Sequence, residues 1–397
     1  MRGVRRPTGR RISPAPQLLG VQHVELRRPS PAVGALTVMS FAGHVMYPLY
    51  LLASERLAPR SPYRPRPGEA DWTWDDVDVL IPAFGEASIL AETVPQLLGE
   101  GVPLDRITVV VDEDEKTRAV AEELGCRVDW SPTRAGKAAA VNRGVGNSSA
   151  DIVVLLDANA FVPGEGLRAL IDRVATDLHL ASGVRKESGA QDEGLYWRYE
   201  NWIKQTEAGR GGSLALVGEA VALRRESFRP IPGSVLNDDL FLAFDFARRG
   251  LDVGVVPECV AVEDSAPRGD QLERRVRIMS GQLRLFWGFR RSFVSGDDKF
   301  LHFAMHKGWR STLGPAAQLT LTAACLARPR SRFSQAFLLA EAVSVAAYLK
   351  GDKLQGRAAA PLRVLGQAVG MPPVVFALAI PRALGRSRSG AWKKRTR

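Results

Sequence analysis

An α/β fold with a mostly parallel sheet is predicted by the alternation of short apolar segments with amphipathic helical segments in the first half of the chain. Continuous apolar runs of this length are typical of strands buried on both faces of a parallel sheet. Their regular separation by helical segments indicates a doubly wound arrangement. The predicted strands are 77–82, 107–112, 126–130 and 151–157, and the predicted helices are 88–98, 117–124 and 136–145. Beyond residue 170 the pattern changes, and further strands are predicted at 214–223, 253–256 and 260–262.

The most informative stretch is the apolar run Val153–Leu156, which ends on Asp157 and continues to Asn159. In open α/β sheets, ligands bind outside the carboxyl ends of the strands. Carboxylate and amide oxygens suit a divalent cation that bridges two phosphates. The stretch therefore predicts a nucleotide-sugar site, and a core strand that simply ends on a capping Asp is the alternative.

The net charge of +11 is concentrated in two tails. Residues 1–32 carry +6 and residues 382–397 carry +7, so the rest of the chain is close to neutral at −2. Basic tails of this kind favour anionic lipid headgroups over a nucleic-acid groove, and we expect no nucleic-acid partner. The three cysteines are widely spaced and odd in number, which fits a reducing compartment.

Several apolar stretches predict attachment to a membrane. Residues 33–53 carry no formal charge and are long enough to span a bilayer, with an interfacial or packed helix as the alternative. Three further apolar stretches follow at 313–327, 333–349 and 362–380, and predict two or three membrane helices or a compact helical bundle.

Four polar features lie at the ends of predicted elements of the sheet domain. They are Asp112, Lys137, Asp157 with Asn159, and the pair Asp238–Asp239. Each has a structural alternative: an acidic turn, a first-turn lysine, a strand-end cap and a helix N-cap, respectively. A cation at a helix N-terminus is disfavoured by the helix dipole unless an anion lies beside it. Their common placement predicts one anion-binding site at the sheet edge.

The motifs in which these residues lie resemble those of family 2 glycosyltransferases with a GT-A fold, of the membrane-attached branch related to hyaluronan and poly-N-acetylglucosamine synthases. The resemblance covers residues 78 to about 289 and eight blocks in order. The blocks are VDVLIPAFGE (77–86), VVVDED (109–114), GKAAAVNRG (136–144), VVLLDANA (153–160), YENWIKQTE (199–207), GEAVALRRESF (218–228), NDDLFLAFDFARRGLDVG (237–254) and ERRVRIMSGQ (273–282).

The resemblance implies a role for each matching position. Asp239 aligns with the general base and Asp238 with its acidic neighbour, whereas Asp157 and Asn159 take the Asp-X-Asp positions that hold Mg or Mn. Gly218 and Glu219 are expected to bind the acceptor. The donor nucleotide is expected to contact Pro82, Ala83, Glu86, Asp112, Lys137, Asp157, Arg274, Arg275 and Arg277.

An inverting sugar transfer is the reaction that these roles imply. A base takes the proton of the acceptor hydroxyl while the sugar develops positive character. The departing nucleoside diphosphate is neutralised by a divalent cation and by basic side chains. The expected donor is a nucleotide-diphosphate sugar, with a UDP-sugar favoured, and the expected acceptor is a saccharide or lipid-linked saccharide of the cell envelope.

Three alternative functions stay open on the sequence. A processive polysaccharide synthase carries Gln-X-X-Arg-Trp, but Gln271–Arg275 has Arg in the Trp position. A sugar-1-phosphate nucleotidyltransferase would need a glycine- and arginine-rich segment after the first strand, where Ala83–Glu86 stands instead. A non-enzymatic membrane scaffold would use only the basic tails.

The resemblance and the apolar stretches together predict a GT-A catalytic domain with flanking membrane or interfacial helices. Because sugar nucleotides are cytoplasmic, we expect the protein at the cell membrane with its catalytic domain in the cytoplasm. The predicted divisions are a basic tail (1–32), a transmembrane helix (33–54), a linker (55–75), the GT-A domain (76–298), interfacial and transmembrane helices (299–381) and a second basic tail (382–397).

Overall fold

A computed structural model describes most of the chain. The greater part of both predicted basic tails and the middle of the predicted linker lie outside the described residues. The described residues are 30–57, 70–188, 193–208, 213–264, 271–350 and 359–385.

A seven-stranded sheet forms the centre of the protein, with the strand order β3-β2-β1-β4-β6-β5-β7. All neighbouring strands are parallel except β6, which runs antiparallel to both β4 and β5. The prediction of an α/β fold with a mostly parallel sheet is therefore confirmed. The strands are β1 (Val77–Ala83), β2 (Ile107–Asp112), β3 (Arg127–Ser131), β4 (Ile152–Leu156), β5 (Leu180–Ser188), β6 (Ala220–Arg224) and β7 (Val253–Asp264).

Fourteen α-helices and two π-helical turns occur in the described part of the chain. The π-helical turns are Ala304–Gly308 and Gly366–Gly370. The α-helices are α1 (Pro31–Leu57), α2 (Ala87–Gly99), α3 (Glu115–Glu123), α4 (Lys137–Asn147), α5 (Gly164–Thr176), α6 (Glu193–Ala208), α7 (Asp238–Arg248), α8 (Gln271–Gly288), α9 (Asp298–Phe303), α10 (Trp309–Ser311), α11 (Leu313–Leu326), α12 (Arg332–Leu349), α13 (Ala360–Leu365) and α14 (Met371–Leu384).

The strand side chains divide into two cores, one on each face of the sheet. Val79 and Val154 belong to the core that α2, α3 and α5 cover, whereas Leu80 and Val153 belong to the core that α4 and α7 cover. Because successive side chains of a strand point to opposite faces, continuous apolar runs are needed to fill both cores. This double coverage leaves the carboxyl edge of the sheet open to ligands.

The strand β5 was not predicted, and two predicted strands differ from the structure. The sequence of β5 shows neither a continuous apolar run nor regular alternation, and a Cβ at Gly183 would lie 2.4 Å from the Cys259 carbonyl oxygen. Glycine therefore permits the close pairing of β5 with β7. The predicted strand 214–223 is ordered as a strand only over Ala220–Arg224, and the two strands predicted at 253–262 are one strand, β7.

Two helices among the described residues have the length and apolar composition of a membrane span. They are Pro31–Ser54 within α1 and Pro361–Leu384 at the end of the described chain. The stretches predicted at 313–327 and 333–349 form α11 and α12, and α11 has 14 residues, or about 21 Å. This length is short for a bilayer core of about 30 Å.

An aromatic cluster joins α7 to the segment that follows the sheet domain. Phe244 is fully buried, and its ring lies 5.0–5.6 Å from the rings of Phe289, Phe293, Phe300 and Phe303. Edge-to-face contacts of this kind add to the free energy gained by burial. The cluster fixes the position of α7, whose first residue is Asp238.

We expect Phe244→Ala to lower the free energy of unfolding by about 3–5 kcal/mol, because it opens a cavity among four rings. Thermal unfolding of the purified chain measures this loss. Val294→Ala is the matched control, since Val294 is 83% exposed and should change the midpoint little. An unchanged midpoint for Phe244→Ala would contradict the packing described here.

Candidate active site at the carboxyl edge of the sheet

One cleft lies where β1 and β4 end and α7 begins. Because β6 runs antiparallel to β4, the residues that precede β6 reach the same edge, and the Asp157 amide donates to the Glu219 carbonyl oxygen at 3.0 Å. The cleft is lined by Pro82, Lys137, Val141, Leu155, Leu156, Asp157, Gly218, Val221, Asp238, Asp239 and Leu242.

Lys137 is the first residue of α4 and bridges two carboxylates of the cleft. Its Nζ lies 2.7 Å from Asp157 Oδ1 and 3.2 Å from Asp238 Oδ2. Burial alone would lower the pKa of Lys137, but the charges of Asp157 and Asp238 outweigh it and raise the pKa above its ordinary value. The ammonium group is therefore charged, and these carboxylates compensate for its unfavourable place at a helix N-terminus.

Carboxylates outnumber cations in this cleft. Burial raises the pKa of Asp157, and Glu219 and Asp238 add to this effect against the opposing charge of Lys137. Burial and the adjacent Asp238 likewise raise the pKa of Asp239. Such a cluster is stabilised by a further cation, and a carboxylate with a raised pKa is a better proton acceptor than an ordinary Asp.

Glu219 and Gly218, the predicted acceptor residues, border the cleft in different ways. The Glu219 carboxylate is buried and accepts from Arg185 Nη1 at 2.9 Å, so its charge is balanced within the protein. Gly218 lies against Asp239, where a Cβ would be 3.5 Å from the Asp239 Cβ. A Cβ at this position would be in ordinary van der Waals contact with Asp239 and would take up space beside its carboxylate.

Asp112 is not brought into the cleft. Its side chain is fully buried; Oδ1 accepts from Arg143 at 2.9 Å, and Oδ2 accepts from the amides of Ala135 and Gly136 at 3.1 Å each. These bonds fix the loop before Lys137, where Gly136 has a φ of +92°. The structure thus gives Asp112 a part in positioning Lys137, and its contact with a nucleotide stays a prediction.

The remaining residues predicted to bind the donor lie around the cleft rather than in its lining. Ala83 is buried at the end of β1, and Glu86 precedes α2, with its amide donating to Thr117 Oγ1 at 3.1 Å. Between them the Gly85 amide donates to Asp114 Oδ2 at 2.6 Å. Asn159 is half-buried two residues after Asp157. Their roles stay predictions.

The three arginines of α8 separate into two groups. Arg277 is close enough to Asp238 and Asp239 for their charges to raise its pKa, although burial and the Arg274 charge together lower it below the ordinary value. Arg275 instead lies close enough to Tyr348 of α12 for its positive charge to influence that side chain. Arg277, with Arg274 beside it, is thus on the side of the cleft, and Arg275 faces the helices that follow.

Sequence reasoning missed several charged residues next to the cleft. Arg143 and Arg185 neutralise Asp112 and Glu219. Arg143 lies within the block GKAAAVNRG, but the resemblance gave it no role, and Arg185 lies in none of the eight blocks. Glu200, Lys204 and Glu207 recur on one face of α6 at spacings of four and three residues, which was an available signal for a charged face. That face is buried, with the three residues at most 6% exposed.

Residues 78–231 match the sequence profile described as Glycosyl transferase family 2. The chain carries a family 2 glycosyltransferase domain. A relative, the dolichol-phosphate mannosyltransferase of Pyrococcus furiosus, is 28% identical over 132 residues, which cover 32% of this chain and 36% of that protein. The aligned region of the glycosyltransferase domain therefore spans about a third of that relative's length.

A solved structure shares the fold over most of the chain. It is a mannosyltransferase from Pyrobaculum calidifontis in complex with GDP-mannose and Mn²⁺, with a TM-score of 0.68 and 22% identity. The alignment covers 89% of this chain and 98% of that structure. The likeness shows the GT-A fold of the glycosyltransferase domain together with flanking helices.

We expect Asp112→Asn to destabilise the chain by about 1–3 kcal/mol, because the amide leaves buried donors unsatisfied. Thermal unfolding and donor binding, measured on the same sample, separate the two roles considered for Asp112. A lowered midpoint supports the positioning role seen here. An unchanged midpoint with lost donor binding would show instead that Asp112 serves the nucleotide directly.

Proposed function

We propose that this chain catalyses the inverting, cation-dependent transfer of a sugar from a nucleotide-diphosphate sugar to a lipid-linked or envelope saccharide. The observation that carries the proposal is the convergence of Lys137, Asp157, Asp238 and Asp239 on one cleft of a family 2 glycosyltransferase domain. These residues are up to 102 positions apart in the sequence, and a merely structural role would not require them to meet.

The oxygen atoms of Asp157 and Asn159 suit Mg²⁺ or Mn²⁺ when a diphosphate supplies further ligands. No group of three or more His, Cys, Asp or Glu side chains suited to a metal occurs in the described part of the chain. Cations that bind nucleotides are held by one or two protein oxygens together with phosphates and water. Asp157 and Asn159 would hold the cation, which would neutralise the charge of the leaving diphosphate when bound.

Lys137 and Arg277 are the side chains proposed to bind the donor diphosphate. Lys137 already lies between two carboxylates, so a diphosphate in the cleft would meet a fixed ammonium group at a helix N-terminus. Arg277 adds a second positive charge from α8. The sequence favours a UDP-sugar, while one similar structure holds GDP-mannose, so both classes of donor belong in the first screen.

Asp239 is the residue proposed to take the proton of the acceptor hydroxyl. It lies in the cleft beside Gly218, and its raised pKa favours proton uptake over that of an exposed Asp. No covalent intermediate with the enzyme is needed in a single displacement, which inverts the anomeric configuration. A single displacement of this kind needs one base, and Asp239 is the side chain proposed for it.

Attachment to the membrane is proposed from the two helices that have the composition of a span. Exposed large apolar side chains concentrate in α1 and in the region from α8 to α14, with Leu98 as an isolated exception. A lipid-linked acceptor would be presented by that surface. Because nucleotide sugars are cytoplasmic, we propose that the glycosyltransferase domain faces the cytoplasm.

We expect Asp239→Asn to reduce kcat by about 10²–10⁴-fold, since it removes the base. Donor affinity, measured by calorimetry with a nucleoside diphosphate, should stay near the wild-type value. Asp252→Asn is the control, because Asp252 is 59% exposed on its side chain and should leave both quantities unchanged. Full turnover by Asp239→Asn would overturn the assignment of the base.

Asp157→Ala is expected to lose both the Mn²⁺ dependence and most of the donor affinity, because a ligand of the bridging cation is removed. Hydrolysis of a panel of UDP- and GDP-sugars with and without Mn²⁺ measures this. Asp151→Ala is the matched control, since Asp151 precedes the same strand and is exposed. A variant at Asp157 that still responds to Mn²⁺ would place the cation elsewhere.

A further inference from the structure

The helix α12 has its polar side chains inside the protein and its apolar side chains outside. Every exposed residue between Ala336 and Leu349 is Ala, Val or Leu, and Leu339 is 68% exposed. Glu341 and Ser344 of the same helix are instead buried, at 9% and 1% exposed. A helix that faces water shows the opposite distribution, so the outer face of α12 is suited to an apolar solvent.

Glu341 belongs to a small polar cluster at the contact of three helical segments. The Gln318 Nε2 atom of α11 donates to Glu341 Oε1 at 3.4 Å and to the Val369 carbonyl oxygen at 3.0 Å. The α-helical donor to that carbonyl group would be residue 373, which is a proline and has no N–H. The cluster therefore joins α11 and α12 to the π-helical turn Gly366–Gly370 and supplies a hydrogen bond that the turn needs.

Two glycines bring the π-helical turn against α12 at this cluster. A Cβ at Gly366 would overlap the backbone at Tyr348, and a Cβ at Gly370 would overlap the backbone at Ser344. Small residues at helix contacts, together with polar side chains that bond across them, are the usual way in which helices associate in a bilayer. The polar groups of α12 are thus enclosed between helices, while its apolar groups are left on the outside.

The Thr322 hydroxyl indicates the protonation state of Glu341. Its single hydrogen has two acceptors within reach, the Gln318 carbonyl oxygen at 2.9 Å and Glu341 Oε2 at 2.5 Å. One hydrogen cannot serve both acceptors. When Glu341 is protonated, its O–H donates to Thr322 Oγ1, and the Thr322 hydrogen is donated to the carbonyl oxygen. Both side chains that bond to Glu341 are neutral, so neither would compensate the charge of an ionised carboxylate.

The two ends of α12 fit the two surfaces of a bilayer. Its 18 residues extend about 27 Å, close to the hydrocarbon core of about 30 Å. Exposed basic residues lie at both ends, and long basic side chains there can reach anionic lipid headgroups. These residues are Arg328, Arg330 and Arg332 at the first end and Lys350 at the second.

We propose that α12 is embedded in the acyl-chain region of the membrane, with its Ala, Val and Leu face toward lipid and Glu341 held inside as a neutral carboxylic acid. This inference rests on the proposed attachment of the chain to a membrane. It extends that attachment to a helix that composition alone does not mark as a span. The lipid-facing surface continues onto Pro361–Leu384, which packs against α12. A neutral Glu341 avoids the cost of placing a charge at this depth.

The first test is nitroxide spin labelling of the full chain in vesicles of phosphatidylcholine and phosphatidylglycerol. The labels are attached to Leu339→Cys on α12, Val45→Cys on α1 and Leu98→Cys on α2; the three native cysteines are buried. We expect the label at Leu339 to be relaxed by oxygen, which dissolves in acyl chains, and to lose relaxation by a water-soluble nickel chelate. The label at Val45 should behave in the same way, and the label at Leu98 should respond to the nickel chelate.

The three labels separate this inference from the proposed attachment. A label at Leu339 that responds to nickel while the label at Val45 does not would overturn the inference and leave the attachment standing. Nickel access to all three labels would contradict both. A label at Leu339 that neither reagent reaches would show that a second copy of the chain covers α12, which also overturns the inference. If Leu339→Cys does not fold, Val343→Cys, at a position 42% exposed on the same face, replaces it.

The second test is an infrared difference spectrum between wild type and Glu341→Gln at neutral pH. We expect the carbonyl band of a protonated carboxylic acid in the wild type and its loss in the variant. Gln is the conservative replacement, because its amide can donate to Thr322 as the acid does. A carboxylate band in place of the acid band would overturn the neutral state. If Glu341→Gln does not fold, Thr322→Val removes the acceptor and should shift the acid band; an unshifted band then overturns the inference.

Discussion

The ion pairs of Lys137 are the interaction on which the rest of the site depends. One ammonium group at the start of α4 holds Asp157, which follows β4, and Asp238 of α7 within 3.2 Å. Without it, the half-buried carboxylates of the cleft would repel one another. Since Asp112 fixes the loop that ends at Gly136, a fully buried side chain of β2 indirectly sets the position of this ammonium group.

The sequence was sufficient to predict those strands and helices whose own residues form a recognisable pattern. The run that ends on Asp157 has no plausible state other than a buried strand, and Lys137 at a helix N-terminus suggested an anion. β5 was not predicted because it is stabilised by pairing with β7 at Gly183. The local composition of β5 does not reveal this pairing. Asp112 was expected in the cleft because it ends a strand at the sheet edge, and its charged partner, Arg143, cannot be recognised from spacing.

Long-range pairing also explains why the burial of the charged face of α6 could not be foreseen. Glu200, Lys204 and Glu207 form a charged stripe of α6 that would normally face solvent. The partners that make its burial tolerable are Tyr47 and Arg310, which lie more than one hundred residues away on either side. Through these contacts α1 and α10 pack against α6.

The central claim is that a single cation-bound diphosphate lies between Lys137, Asp157 and Asp239. The most direct measurement is a crystal structure with Mn²⁺ and a nucleoside diphosphate, in which anomalous scattering locates the manganese. The account predicts manganese bonded to Asp157 and to the diphosphate, with Lys137 in contact with a phosphate oxygen. Manganese or diphosphate bound away from this cleft would contradict it.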